Sequence, residues 1–251
     1  MTNNDLFTFE KIFNYSDISN NIVYKLYIEK LEIQCNIEKD HQIGRFELMK
    51  KTFKLIEKKN IKGEILEFGS WRGQGLRYLI FLRNTILNTN KKIFAIDSFG
   101  GLPLSEDGWI KGTFQNTTSQ TVTNNIKNVQ HIIGDISNIH IVEGLFNSDI
   151  VKECINNIEK VSFIYFDGDL KTSTLEALNV VKKFFINQKT IYIAFDDWGC
   201  MNYTLCAAFG KFFHHLPNFS FKNIGSTALT IFFEITNHNL TESPGCTDGD
   251  L

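Results

Sequence analysis

Two short stretches concentrate the residue types that can do chemistry. Asp167-Gly168-Asp169 and Asp196-Asp197 each follow an apolar run, and together they carry four carboxylates. If those runs are neighbouring parallel strands, the four groups converge. Clustered carboxylates repel and raise one another's pKa unless a cation compensates them. Oxygen-only donors in that number suit Mg²⁺, with Ca²⁺ and Mn²⁺ as alternatives. Asp is also favoured at helix N-termini. One or two of the four are therefore expected to cap helices and the rest to hold metal.

A second constellation lies earlier in the chain. Glu67-Phe68-Gly69-Ser70-Trp71-Arg72-Gly73-Gln74-Gly75 places its glycines as Gly-x-x-x-Gly-x-Gly. A dinucleotide fingerprint needs Gly-x-Gly-x-x-Gly, and the pattern fails at Trp71 counted from Gly69 and at Tyr78 counted from Gly73. Glycines there still let backbone approach a ligand closely. Glu67, two residues before the first glycine, suits an ammonium group better than a pyrophosphate. Asp97 ends the next apolar run, where a carboxylate can accept hydrogen bonds from vicinal ribose hydroxyls. Loop and acid together point to an adenosine-type cofactor.

These groups need a sheet to gather them. Glu64–Phe68, residues 93–96 and 139–142, Val161–Phe166 and Thr190–Phe195 are short apolar runs, mostly followed by helical patterns. Such alternation predicts a parallel sheet buried on both faces, with ligands beyond the strands' carboxyl ends. Residues 219–222 and 229–234, with a turn at Gly225 between them, predict an antiparallel hairpin at one edge. Residues 1–60 read as a helical extension in which Phe46, Met49, Phe53 and Ile56 form a core-facing stripe. The main domain is then 61–236, and 237–251 form a flexible tail. The loop at 98–123 is too long for a connector and carries Trp109 and Phe114; it reads as a lid over the site. His214-His215 close a predicted helix over 206–213 and suit its dipole.

Composition narrows the classes. At 251 residues the chain suits one large domain. The 26 Lys+Arg are outnumbered by 28 Asp+Glu, which excludes the basic footprint of a nucleic-acid binder. The five cysteines show no zinc-knuckle or redox spacing, so reduced thiols in a cytoplasmic protein are expected. No apolar run reaches the ~20 residues of a membrane span.

The motifs resemble one family. Residues 63–75 are similar to the first motif of the macrocin-O-methyltransferase (TylF/MycF-like) group of class I S-adenosylmethionine-dependent methyltransferases. Asp97-Ser98-Phe99-Gly100-Gly101-Leu102-Pro103 resembles its Asp-Ser-Phe-Glu-Gly-Leu-Pro element, the most specific of the matches, and Trp109, Gly112 and Phe114 follow as they do there. Val142-Glu143-Gly144-Leu145-Phe146, Asp167-Gly168-Asp169-Leu170 and Asp196-Asp197-Trp198-Gly199 continue the likeness in order. The chain departs from the pattern at Lys171, where Tyr is usual, at Asn187-Gln188-Lys189, which replaces a Gly-Gly turn, and at Gly100, where Glu is usual.

The resemblance implies an α/β, Rossmann-like fold with a mostly parallel seven-stranded sheet. S-adenosylmethionine would contact Glu67, Phe68, Gly69, Ser70, Trp71 and Gly73 by its methionine part. Asp97 and Ser98 would face the ribose, and Gly144, Leu145 and Phe146 the adenine. Mg²⁺ would sit on Asp167, Asp196 and Asp197, beside Asp169 or Lys171 as the base. The expected acceptor is a hydroxyl of a sugar, nucleotide-linked or lipid-linked glycan, or natural product, and a homo-oligomer is open. Two rivals remain. One is a haloacid-dehalogenase-like phosphatase, which also uses Asp-x-Asp but carries Thr where this chain has Lys171. The other is a non-catalytic cofactor-binding partner in glycan assembly.

Overall fold

The protein was analysed as a computed structural model, which describes residues 34–198, 204–227 and 229–240. The expected helix before residue 34 and the expected tail after residue 240 lie outside these residues. Seven strands, β1 (Glu64–Phe68), β2 (Ile93–Asp97), β3 (Ile139–Glu143), β4 (Val161–Phe166), β5 (Thr190–Phe195), β6 (Phe219–Ser226) and β7 (Ile231–Asn237), form one sheet in the order β3-β2-β1-β4-β5-β7-β6. The pairs joining β3 to β5 are parallel, and β7 runs antiparallel to both β5 and β6. Strand order reverses between β1 and β4, so the crevice that parallel sheets offer to ligands opens at the ends of those two strands.

Helices cover both faces. On one side lie α1 (Gln34–Lys58) and α2 (Gln74–Leu82), the latter running on into a π-helical turn at Arg83–Leu87. The α1 stripe lies where the 3.6-residue period puts it: Phe46, Met49, Phe53 and Ile56 are buried. Phe46 meets Tyr78 edge-on at 5.3 Å, and Phe53 meets Phe163 at 5.5 Å. Each such side chain contributes about 1.5–3 kcal/mol by leaving water. The short helices α3 (Ser119–Asn128) and α4 (Gln130–Ile133) follow β2. On the other side α5 (Asp149–Asn156), α6 (Lys171–Asn187) and α7 (Thr204–Phe213) enclose a second core, in which Phe68, Phe166 and Phe195 stack across three strands. Among the described residues no helix is long and apolar enough to cross a membrane.

The hairpin corrects one expectation. Gly225 does not make the turn; it sits inside β6 at a register irregularity. A Cβ there would run into Leu48 of α1, so this glycine permits close helix-to-strand approach. The turn falls later, where Thr227 N donates to Thr230 O at 2.8 Å.

Gly69 is more demanding. Its φ is +91°, and a Cβ would overlap the backbone carbonyl of Asp167. Gly69→Ala is therefore expected to cost more than about 1–3 kcal/mol, whereas Gly225→Ala meets only a flexible leucine and costs less. Urea unfolding of the two variants tests this ranking, and equal losses would contradict it.

Candidate active site

Hydrogen bonding continues one residue past the strand ends. Gly69 N donates to Ile96 O (2.9 Å), Asp167 N to Phe68 O (2.7 Å), Asp196 N to Phe166 O (2.9 Å) and Gly144 N to Asp97 O (2.9 Å). The glycine loop and both acidic stretches are thus held in one row across the switch point.

Asp97 builds the loop. Its Oδ2 accepts from the amides of Ser70 and Trp71, both at 2.8 Å, and Oδ1 accepts from Phe99 N at 2.7 Å. Trp71 is held at a left-handed φ of 41° between those contacts and Gly73, which leads into α2 at φ 78°. The Ser98 hydroxyl accepts from Gly100 N at 3.2 Å.

Glu67 lies behind this loop and is only 1% exposed. The Ser70 hydroxyl donates to its Oε2, while Oε1 is buried without a partner against Gly75 in the first turn of α2. Burial pushes the carboxyl up to about 8, against the opposing pull of the Ser70 hydroxyl and the Arg45 charge. Phe68 is wholly in the core, ringed by Phe146 and Phe166, and offers a ligand no side-chain surface. Leu145 is exposed, and Phe146 packs close above Gly168.

Strand periodicity sorts the acids. With Phe166 and Phe195 on one face, Tyr165, Asp167, Ala194 and Asp196 belong to the other, together with Glu67, beneath α1 and α2. Arg45 reaches that face from α1 and is 3% exposed. Its Nη1 donates to Asp196 Oδ2 and to the Tyr165 hydroxyl (2.7 Å) and stands 3.6 Å from Asp167 Oδ2; Nη2 donates to Gln42 Oε1. Tyr165 in turn donates to Asp196 Oδ2 at 2.9 Å, and the Thr230 hydroxyl donates to Oδ1. Burial opposes the charge on Arg45, but Tyr165, Asp196 and Asp167 outweigh it and hold the guanidinium protonated.

Asp167 and Asp169 lie at the rim, and both carboxyls are raised well above the usual range. Burial is the first cause for each; the next is the charge of Asp196 for Asp167 and of Asp197 for Asp169. Asp197 also shares a hydrogen bond with Asp169, and both residues have left-handed φ, 53° and 56°. Among the described residues no group of three or more His, Cys, Asp or Glu side chains stands ready-made around a metal position. Asp167, Asp169 and Asp197 carry oxygen donors of the kind a hard cation takes, whereas both oxygens of Asp196 are already engaged by Arg45, Tyr165 and Thr230. Lys171 is the half-buried first residue of α6.

The capping expectation is corrected at α6. Its N-cap is Leu170, which provides no side-chain acceptor. Glu106 of the long loop caps the helix instead, its carboxylate accepting from Thr172 N (2.9 Å) and Thr172 Oγ1 (2.7 Å). That loop ends at Thr118, which caps α3. Its base is tied to the glycine loop through Thr117 Oγ1 donating to Trp71 O at 3.1 Å. Trp71, Phe114 and Trp109 form an aromatic row with centroids 5.3 and 5.9 Å apart, and the Trp109 indole N–H is buried without a partner.

Sequence reasoning passed over Arg45, Tyr165, Thr230 and Glu106. Arg45 stands beside the apolar stripe at Phe46 and reads as a polar helix flank. The period of two was the missing signal, since it turns Asp196 toward the α1 side.

A seven-stranded sheet in this order, with a glycine loop after β1, an acid ending β2 and acids following β4 and β5, defines the class I methyltransferase architecture. The chain belongs to the macrocin-O-methyltransferase (TylF) family, whose profile matches residues 42–223, and it is an O-methyltransferase. Among solved structures it is similar to the O-methyltransferase NovP, with a TM-score of 0.64 and 18% identity over 76% of this chain and 78% of that one. It is also similar to CalS11, a calicheamicin methyltransferase, with a TM-score of 0.61 and 16% identity over 93% of each chain. An apo structure of CalS11, described as a TDP-rhamnose 3'-O-methyltransferase, gives a TM-score of 0.52 and 15% identity over 93% of this chain and 95% of that one. No curated protein matches the chain in sequence.

Two outcomes follow from this geometry. Folding gives Glu67 a pKa of about 8 against an ordinary 4.5, so the folded state keeps a proton that the unfolded state releases. Stability must fall as pH rises through that window. Glu67→Gln should be nearly neutral near pH 5 and stabilising by a few kcal/mol near pH 8.5; urea melts giving equal effects at both pH values would contradict this. Glu106→Ala should cost about 1 kcal/mol and speed amide exchange at Thr172, and unchanged exchange there would show that the loop does not cap α6.

Proposed function

We propose that the chain is an S-adenosylmethionine-dependent O-methyltransferase acting on a hydroxyl of a sugar or of a glycan or natural-product precursor, aided by Mg²⁺. The observation carrying this is the single row across the switch point: a glycine loop organised by Asp97 beside the carboxylates of β4 and β5. Family membership supports the reaction class. The sugar acceptor is supported by CalS11, described as acting on TDP-rhamnose.

When bound, S-adenosylmethionine supplies a sulfonium methyl, and transfer to a hydroxyl is an in-line displacement at carbon. The backbone of Gly69, Ser70, Trp71 and Gly73 shapes the methionine end. Glu67 acts on that end through the Ser70 hydroxyl, which it orients. Asp97 and Ser98 border the ribose position. Gly144, Leu145 and Phe146 border the adenine, with Phe146 as the wall packed on Phe68 and Gly168 and Leu145 as the exposed one.

Asp167, Asp196 and Asp197 would hold Mg²⁺, which supplies positive charge that lowers the pKa of an acceptor hydroxyl. Asp169 is the better candidate for the base, because it lies within the acidic cluster, whereas Lys171 heads the next helix. The loop carrying Trp109 and Phe114 covers the acceptor; its aromatic row offers flat apolar faces, and the Trp109 N–H offers one donor. The absence of a membrane-crossing helix among the described residues and the free thiols of Cys154 and Cys206 are compatible with the cytoplasmic location expected from the sequence.

Calorimetry separates this reading from the phosphatase rival. The protein should bind S-adenosylhomocysteine and ignore phosphate and vanadate, and the reverse result would overturn it. With a nucleotide-sugar acceptor, Asp169→Asn should lower kcat by about 10²–10⁴-fold, and full activity of the wild type in excess EDTA would remove the metal from the mechanism.

A further inference from the structure

We propose that Glu106 is a positioning residue: it latches a strap across the crevice between β1 and β4, and release of that latch sets how fast an adenosyl ligand enters and leaves. This rests on the S-adenosylmethionine reading above.

The segment between β2 and α3 has a pinched neck and a head. At the neck Leu102 N donates to Thr113 O at 2.8 Å, and Gly112 N donates to Leu102 O at 2.9 Å. The two limbs can meet because residue 101 is glycine, at φ +75°; a Cβ there would come within 2.5 Å of Thr113 O. At the head Asp107 and Gly108 have φ of 52° and 96°, the two left-handed positions of a type I′ turn. Glu106 and Trp109 flank the turn as an antiparallel pair, with Trp109 N donating to Glu106 O at 2.9 Å and Glu106 N to Trp109 O at 3.2 Å.

Directly opposed residues of such a pair project from one face. From that face Trp109 meets Phe114, which meets Trp71 of the glycine loop after β1. Glu106 accepts from Thr172 N and Thr172 Oγ1 at the start of α6, after β4. β1 and β4 are adjacent strands at which the order reverses. The head is therefore anchored on both sides of the crevice and spans it.

The two anchors differ in kind. On the β1 side the hold is aromatic, and the Trp109 indole N–H is buried without a partner. On the β4 side a carboxylate takes two donors, which makes that contact the directional one. An N-cap is ordinarily supplied by the residue that starts the helix. Here that residue is Leu170, buried in the core and without an acceptor, so the cap comes from 66 positions earlier, on a head carried by a narrow neck. A swing of the head about its neck must break the Glu106–Thr172 contact, which couples the opening of the crevice to the uncapping of α6.

The test is surface plasmon resonance of S-adenosylhomocysteine over immobilised full-length protein, read as association and dissociation rates. Wild type, Glu106→Ala, Glu106→Gln and Thr172→Val are compared. Glu106→Ala should raise both rates by about 5–30-fold, the factor that corresponds to a lost cap, while Kd changes by less than about threefold. A purely structural role would weaken Kd or leave the rates alone, and would not raise both together. Glu106→Gln keeps an acceptor oxygen without the charge, and Thr172→Val loses only the hydroxyl donor; both should fall between wild type and Glu106→Ala. Unchanged rates in Glu106→Ala, or faster dissociation without faster association, would overturn the proposal. If that variant does not fold, Glu106→Gln decides, and wild-type rates in it would overturn the proposal as well. A wild type that does not bind S-adenosylhomocysteine would overturn this inference together with the S-adenosylmethionine reading, whereas a wild type that binds with rates shared by every variant would overturn this inference alone.

Discussion

Negative charge gathered at the end of a parallel sheet has to be balanced, and the rest of this site depends on how that is done. Asp167 and Asp196 end adjacent strands in register, so their repulsion is built into the topology. Arg45 answers it from α1. The N-terminal helix is therefore part of the site, although its apolar stripe alone would mark it as a cover for the sheet.

The same logic governs the other side of the crevice. Asp97 accepts three hydrogen bonds, from the backbone amides of Ser70, Trp71 and Phe99, and so shapes both the glycine loop and the start of the long loop after β2. That loop returns the connection by capping α6 through Glu106. The glycine loop, the long loop after β2 and the start of α6 are joined by carboxylates acting on backbone N–H groups, contacts that are short, directional and stronger than neutral hydrogen bonds. A disturbance in one should be felt in the others through those bonds.

Glu67 has a different status from the rim acids. It is sealed behind the loop, raised by burial, and tied to Ser70. Gly75 makes room for it, since a Cβ there would run into Oε1. The glycine pattern of the loop thus has two sources. Gly69 and Gly73 satisfy positive φ, while Gly75 satisfies a buried side chain. Neither source requires a pyrophosphate, which is why the spacing departs from the dinucleotide fingerprint.

By itself the sequence determined the strands, the α1 stripe, the glycine loop and the acids at the strand ends. These follow from local periodicity and from residue types whose preferences act over a few positions, as β1, β4 and β5 show by their boundaries. Tertiary structure alone decided that Gly225 serves helix approach rather than a turn, that Glu106 caps a helix 66 positions away, and that Arg45, 151 positions from Asp196, is its counter-ion. Each of those roles is set by which surfaces meet after the sheet closes, and no spacing along the chain encodes such a meeting.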